Sequence, residues 1–208
     1  MRILITRPDH DIVTNYLSSW SKELIELAEN NNFKVFDLKS DEANKQNFES
    51  YMRKQNVDLV LLNGHGNENV VTGFKNEPIV EANINEDILK DCVVHALSCE
   101  SSEVLGKKAV ESGAKAYFGY KYPFTFITEK NNECRPSQDK FANLFKNPAL
   151  EVPKCLISGK EIRESYEKGI EKYKQALMLK SISLTEEESK SVRFALFWDM
   201  KGLSLNVK

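Results

Sequence analysis

The chain has 208 residues, of which 41% are hydrophobic and 29% are charged, as is typical of an ordinary folded protein. Its formal net charge of −2 predicts no electrostatic attraction to nucleic acid or to an anionic membrane surface. No run of about 18 apolar residues is present, so the sequence predicts no membrane-spanning segment.

Short apolar runs alternate with amphipathic stretches along the first two thirds of the chain. The predicted strands cover residues 3–5, 33–38, 57–62, 93–97 and 114–120. The predicted helices between them cover residues 11–31, 41–55, 85–90 and 101–112, and a small hairpin is predicted at 70–81. The last third predicts helices at 136–145, 159–179 and 185–197 and a final strand at 202–207.

This order of elements predicts one α/β domain over residues 1–208, built as a three-layer α/β/α sandwich. Its mostly parallel six-stranded sheet has the expected strand order 2-1-3-4-5-6, with the last strand antiparallel. The first apolar run is too short for a signal peptide, and we expect a buried strand and a cytoplasmic location.

Four cysteines are present, and none of them has the CxxC spacing of a zinc ribbon or a redox motif. In a reducing compartment we expect all four to be free thiols: Cys92, Cys99, Cys134 and Cys155. Alternation along a strand places Cys92 on the opposite face from His95 and Cys99, so these three do not share an ion. The sequence therefore predicts neither a metal nor an organic cofactor.

Two reactive residue types follow two predicted neighbouring strands. His65 lies between Gly64 and Gly66 after the third strand, and Cys99 follows the fourth. Because the carboxyl ends of parallel strands meet at one sheet edge, we expect His65 and Cys99 to emerge side by side. An imidazole can deprotonate a thiol near neutral pH, and a helix predicted directly after Cys99 would lower the pKa of that thiol. The backbone N–H groups of Gly66 and Cys99 are candidates for an oxyanion hole.

The two stretches 61–66 and 93–99, with their His-Gly and Ser-Cys dipeptides after buried strands, resemble the caspase-like cysteine peptidases. That clan includes caspases, gingipains, clostripain and legumain, and residues 113–120 are similar to the strand after the nucleophile helix in gingipain-like members. The resemblance implies a caspase-like fold and a cysteine endopeptidase with His65 and Cys99 as its catalytic pair. The Gln-Ala-Cys-Arg-Gly motif of caspases proper is absent, so strict specificity for aspartate is not implied.

The substrate side chain before the cleaved bond should meet the loops at the same edge. The candidates for substrate binding are Arg7, Asp9, Ser98 and Asp139, with Asp11 and Glu133 as further acidic residues in these loops. Acidic residues outnumber basic ones here, which favours a basic substrate side chain, whereas Arg7 turned inward would favour an acidic one. Any of the carboxylates could instead cap a helix.

The expected partners are a protein or peptide substrate and a regulatory protein that restrains the peptidase, with no nucleic acid and no membrane. The alternative is a non-catalytic doubly wound module that binds a ligand or a protein at the same sheet edge. Thiol labelling discriminates between the two, because a single fast-reacting thiol at Cys99 favours the peptidase.

Overall fold

The protein is described here by a computed structural model, which covers residues 1–129, 135–178 and 184–208. Its strands are β1 (Arg2–Arg7), β2 (Lys34–Lys39), β3 (Leu59–Asn63), β4 (Gly66–Asn67), β5 (Val70–Thr72), β6 (Pro78–Glu81), β7 (Val93–Leu97), β8 (Ala116–Tyr120) and β9 (Leu203–Asn206). Six of these strands form the main sheet, and β4, β5 and β6 form a small antiparallel sheet inserted between β3 and β7.

The main sheet has the order β2-β1-β3-β7-β8-β9. Every neighbouring pair is parallel except β8 and β9, which are antiparallel. The prediction of a mostly parallel six-stranded sheet is therefore confirmed. The predicted order 2-1-3-4-5-6 differs in its numbering, because the three short strands of the insert precede the fourth strand of the main sheet.

The helices are α1 (Ile12–Trp20), α2 (Lys22–Asn30), α3 (Lys45–Lys54), α4 (Leu105–Glu111), α5 (Lys140–Ile157), α6 (Ile162–Met178) and α7 (Glu186–Gly202). The predicted helix at 11–31 is two helices that meet at Ser21, whose hydroxyl donates to the Leu17 carbonyl (2.8 Å). The helix predicted at 101–112 begins four residues late, at Leu105, after a turn.

Each face of the main sheet is covered by its own hydrophobic cluster. Residues from α1, α2, α5, α6 and α7 pack on one face, around Trp20, Phe118 and Phe145. Residues from α3, α4 and the inserted small sheet pack on the other, around Phe48 and Tyr117. Burial on both faces explains why β3 is an uninterrupted apolar run up to Asn63. Among the described helices, none is long and apolar enough to cross a membrane.

Candidate functional site

The ends of β3 and β7 bring the two predicted reactive segments together. The strands are parallel neighbours, and Asn63, the last residue of β3, is paired with Leu97, the last residue of β7. His65 and Cys99 each lie two residues beyond these ends. They therefore leave the sheet at the same edge and from adjacent strands, as the sequence predicted.

The backbone around His65 is held by the inserted small sheet. The His65 carbonyl accepts hydrogen bonds from Thr72 N (2.9 Å) and Thr72 Oγ1 (3.1 Å). A Cβ on the preceding Gly64 would lie 2.0 Å from the Thr72 carbonyl oxygen, so only glycine permits this approach. The inserted small sheet thus fixes the position from which the His65 imidazole projects.

The imidazole of His65 is paired with Asp11, a residue of the loop after β1. His65 Nε2 lies 2.6 Å from Asp11 Oδ2, while Asp11 Oδ1 accepts from Thr14 N (2.8 Å) and caps α1. Partial burial raises the pKa of Asp11, but the hydrogen bonds from Thr14 and His65 outweigh it and lower the pKa below its usual value. With Nε2 held by a carboxylate, Nδ1 is the nitrogen left for other chemistry.

The thiol of Cys99 is partly buried beside the segment that follows β8. Its Sγ lies 3.8 Å from the Phe124 carbonyl oxygen, and no hydrogen bond joins it to His65 in the described part of the chain. Burial raises the pKa of Cys99, as do the nearby Glu100 and Asp199, against a lowering by the Phe124 contact. The predicted lowering of the Cys99 pKa is wrong: α4 begins only at Leu105, and burial of the thiol raises its pKa.

The backbone of Gly66 lies close to the segment that carries Cys99. A Cβ on Gly66 would lie 2.2 Å from Ser98 Oγ and 3.5 Å from the Cys99 carbonyl oxygen. Because Thr72 N donates to the His65 carbonyl, the next pair, Gly66 and Val71, is a non-hydrogen-bonded pair. The Gly66 N–H therefore points away from β5 and is available to a ligand at this edge.

An open cleft of about 290 Å³ lies over this edge. Its lining residues are His65, Gly66, Asn67, Val70, Thr72 and Asn76. The cleft therefore lies between the His65 imidazole and the inserted small sheet, and it is large enough for a side chain of an extended peptide.

Arg7 has structural partners in place of a free guanidinium. It is 4% exposed, forms a two-pronged ion pair with Asp37 on β2, and donates through Nη1 to the Ser18 carbonyl (3.1 Å). These contacts join β1, β2 and α1, so little of the guanidinium remains for an acidic substrate side chain.

The remaining residues predicted for substrate binding lie in different environments. Asp139 is fully buried, caps α5 through Ala142 N (2.9 Å), and accepts from Tyr16 Oη (2.6 Å). Its burial corrects the prediction that it binds substrate. Ser98 is 2% exposed beneath Gly66. Asp9 is partly exposed, whereas Glu133 lies outside the described residues.

The other cysteines and His95 are separate from this edge. Cys92 is buried, its Sγ donates to the Val57 carbonyl (3.1 Å), and burial raises its pKa to about 11. His95 is buried in β7, and burial lowers its pKa to about 3. Cys92, Cys99 and Cys155 are free thiols, as predicted, while Cys134 lies outside the described residues.

Sequence reasoning found the aromatic run that contains Tyr122 at this edge but missed the residues of α7 that extend it into an aromatic surface beside the Cys99 loop. Glu100 N donates to the Tyr122 carbonyl (3.4 Å), and the Tyr122 ring lies 4.9 Å from that of Trp198. Phe194, which is 68% exposed, stacks on Trp198 at 6.3 Å. Trp198 and Phe194 belong to α7, near the end of the chain, and no local pattern places that helix next to Cys99.

Sequence reasoning also left the role of Asp11 open between a helix cap and a pocket residue. The capping motif was readable, because Asp11 precedes a helical pattern and Thr14 follows three residues later. The other carboxylate oxygen of Asp11, Oδ2, contacts His65, which lies 54 residues further along the chain, and no local pattern indicates this contact.

Comparison of the sequence with protein-family models and with curated proteins finds no match to either.

Proposed function

We propose that this chain is a cysteine peptidase of the caspase-like kind, with Cys99 as the nucleophile and His65 as the acid–base residue. The observation that carries the proposal is the register of β3 and β7, which brings His65 and Cys99 to one edge. The Asp11 carboxylate on His65 Nε2 adds to it, because orientation of an imidazole by a third group is typical of activated nucleophiles.

In the proposed reaction the Cys99 sulfur attacks a peptide carbonyl carbon while its proton passes to His65 Nδ1. The N–H groups of Gly66 and Cys99 donate to the oxyanion that forms. His65 then gives the proton to the departing amine, and the C–N bond breaks to leave a thioester on Cys99. Water, deprotonated by His65, hydrolyses that thioester and restores the thiol.

Asp11 would act as a positioning residue in this scheme. It accepts the Nε2 proton of His65 and so keeps the Nδ1 lone pair directed away from α1. It also stabilises the imidazolium that forms when the thiol proton is transferred. The raised pKa of Cys99 means that the thiol is neutral at rest, so the proton moves only once a substrate is bound.

The substrate class in the proposal is a protein or peptide with a basic residue before the cleaved bond. Two observations support this choice: Asp9 is partly exposed in the loop after β1, and the Arg7 guanidinium is already paired with Asp37. The cytoplasmic location, the regulatory protein partner and the caspase-like identity of the fold belong to the same proposal.

The test compares two cysteine variants in peptide hydrolysis. Cys99→Ala should lower the rate by at least about 10³-fold, since removal of a nucleophile leaves only weak residual catalysis. Cys92→Ala is the matched control, because this buried thiol lies in the core and should leave the rate within about threefold. Activity of Cys99→Ala within tenfold of the wild-type rate would refute the assignment.

The second candidate is a non-catalytic module that binds a ligand at the same edge. The observation that favours it is that Cys99 Sγ lies against the Phe124 carbonyl while His65 is engaged by Asp11. Because the resting thiol is neutral in both cases, peptide hydrolysis separates the two: cleavage that depends on Cys99 supports the peptidase, and no cleavage by the wild type supports the module.

A further inference from the structure

Two imidazoles and a carboxylate converge at the edge of the proposed catalytic site. His10, Asp11 and His65 each offer one ligand atom, and these three atoms all lie within 4.8 Å of one another. Among the described residues no other such group of three possible metal ligands is found. We propose that these side chains form a binding site for a divalent transition-metal ion, with Zn²⁺ as the ion that fits the donor set best.

The spacing of the ligand atoms suits a tetrahedral ion. Ligands about 2.0–2.1 Å from zinc lie about 3.3 Å from one another. Asp11 Oδ2 is 3.5 Å from His10 Nε2, close to that value. The 2.6 Å separation between Asp11 Oδ2 and His65 Nε2 is a hydrogen bond, and it must widen by roughly 0.7 Å when the metal replaces the shared proton.

Asn76, between β5 and β6, is the candidate for a fourth ligand. Asn76 Oδ1 lies 3.3 Å from His10 Nε2, on an exposed residue held in the left-handed backbone conformation (φ +62°). Two imidazoles, one carboxylate and an amide oxygen form a mixed nitrogen and oxygen set, which zinc accepts readily and magnesium or calcium do not favour.

The His10 ring is positioned for this role and is incompletely satisfied. Its side chain is 11% exposed, and it packs edge-on against Phe74 (5.5 Å) and His65 (6.2 Å), which fixes its plane. His10 Nδ1 is buried and has no hydrogen-bond partner in the described ranges. Moving the ring proton to Nδ1 therefore breaks no existing bond there and frees the Nε2 lone pair for a metal.

Metal binding at this site would be incompatible with catalysis by His65. A metal on Nε2 uses the lone pair of that nitrogen, so the neutral imidazole carries its proton on Nδ1. Nδ1 then has no lone pair with which to accept the Cys99 proton. This consequence, that zinc silences the peptidase, rests on the proposed function, whereas the metal site itself does not.

The binding test is calorimetric titration of the full-length protein with ZnCl₂. The wild-type chain should bind one equivalent of Zn²⁺, and His10→Gln should raise the Kd for Zn²⁺ by at least about tenfold. Asp9→Asn is the matched carboxylate control and Cys99→Ser the thiol control, and both should keep the Kd within about threefold. If His10→Gln unfolds, Asp11→Asn replaces it, since asparagine retains the helix cap.

Three results would overturn the metal site: no stoichiometric binding to the wild type, an unchanged Kd in His10→Gln, or loss of binding in Cys99→Ser. The last would mean that zinc is held by the thiol and not by His10.

Hydrolysis of a peptide before and after addition of one equivalent of ZnCl₂ tests whether zinc silences the peptidase. We expect at least a tenfold loss of rate in the wild type and a smaller loss in His10→Gln. Unchanged wild-type hydrolysis with zinc bound would refute the silencing.

The two proposals fail in different ways. If zinc binds as predicted but the metal-free protein hydrolyses no peptide, the peptidase proposal fails and the metal site stands. If the metal-free protein is active through Cys99 but zinc binding does not depend on His10, the metal site fails and the peptidase proposal stands.

Discussion

Asp199 is a buried carboxyl group whose ionisation should weaken the fold. It lies on α7, is 1% exposed, and accepts one hydrogen bond, from Thr125 N (3.0 Å) to Oδ1. Its Oδ2 has no hydrogen-bond partner among the described residues. Burial raises the pKa of Asp199 to about 8, against a smaller lowering by the Thr125 N–H.

The sign and size of the effect follow from the two pKa values. Below pH about 4 the carboxyl is protonated in both the folded and the unfolded chain, and the folded state has its full stability. Between pH about 4 and 8 only the folded chain keeps the proton, so the free energy of unfolding falls by about 1.4 kcal/mol per pH unit. From pH 5 to pH 8 this amounts to roughly 4 kcal/mol, a large part of the stability of a typical domain.

Asp199→Asn removes the ionisation while keeping an oxygen for the Thr125 N–H. We expect the variant to gain roughly 2–4 kcal/mol over the wild type between pH 5 and pH 9, the lower value allowing for structural relaxation around the charge. The assay is urea unfolding of both proteins at the two pH values, followed by tryptophan fluorescence. A difference between variant and wild type that changes by less than about 1 kcal/mol would refute the buried ionisation.

Three further predictions concern the candidate site. Asp11→Asn should lower kcat by about 10- to 100-fold with KM little changed, because the helix cap survives but His65 Nε2 loses its acceptor; a kcat within about threefold of the wild-type value would contradict it. Gly66→Ala should cost about 1–3 kcal/mol in urea unfolding, since its Cβ would lie 2.5 Å from the Val70 carbonyl oxygen; an unchanged midpoint would show that the hairpin shifts freely. Of two fluorogenic peptides that differ only in Arg or Asp before the cleaved bond, the Arg peptide should be cleaved faster; faster cleavage of the Asp peptide would reverse the proposed specificity.

The sheet and its reactive edge were predictable because they depend on local patterns and on one general rule of α/β architecture. The apolar runs that become β3 and β7 are visible in the sequence, and parallel neighbours end at the same edge. The rule places His65 and Cys99 together without knowledge of any other contact.

The pairing of side chains across the edge was not predictable in the same way. Asp11 reaches His65, and Arg7 reaches Asp37, through tertiary contacts between elements that are distant in sequence. The start of α4 at Leu105 was likewise not predicted, since residues 101–104 form a turn before the helix and helix boundaries are the least certain part of a sequence prediction. The expectation that the pKa of Cys99 is lowered failed for a tertiary reason as well, because burial of the thiol, which no local pattern indicates, raises that pKa.

The substrate preference illustrates why counting charges in a sequence is a weak guide to specificity. A charged residue contributes to a pocket only if its charge is not already matched inside the protein. Arg7 is matched by Asp37, and Asp139 is matched by Ala142 N and Tyr16. Asp11 is engaged by Thr14 and His65, which leaves Asp9 as the other partly exposed carboxylate of the loop after β1. The preference for a basic residue therefore depends on one side chain, which makes Asp9→Asn the variant that decides it.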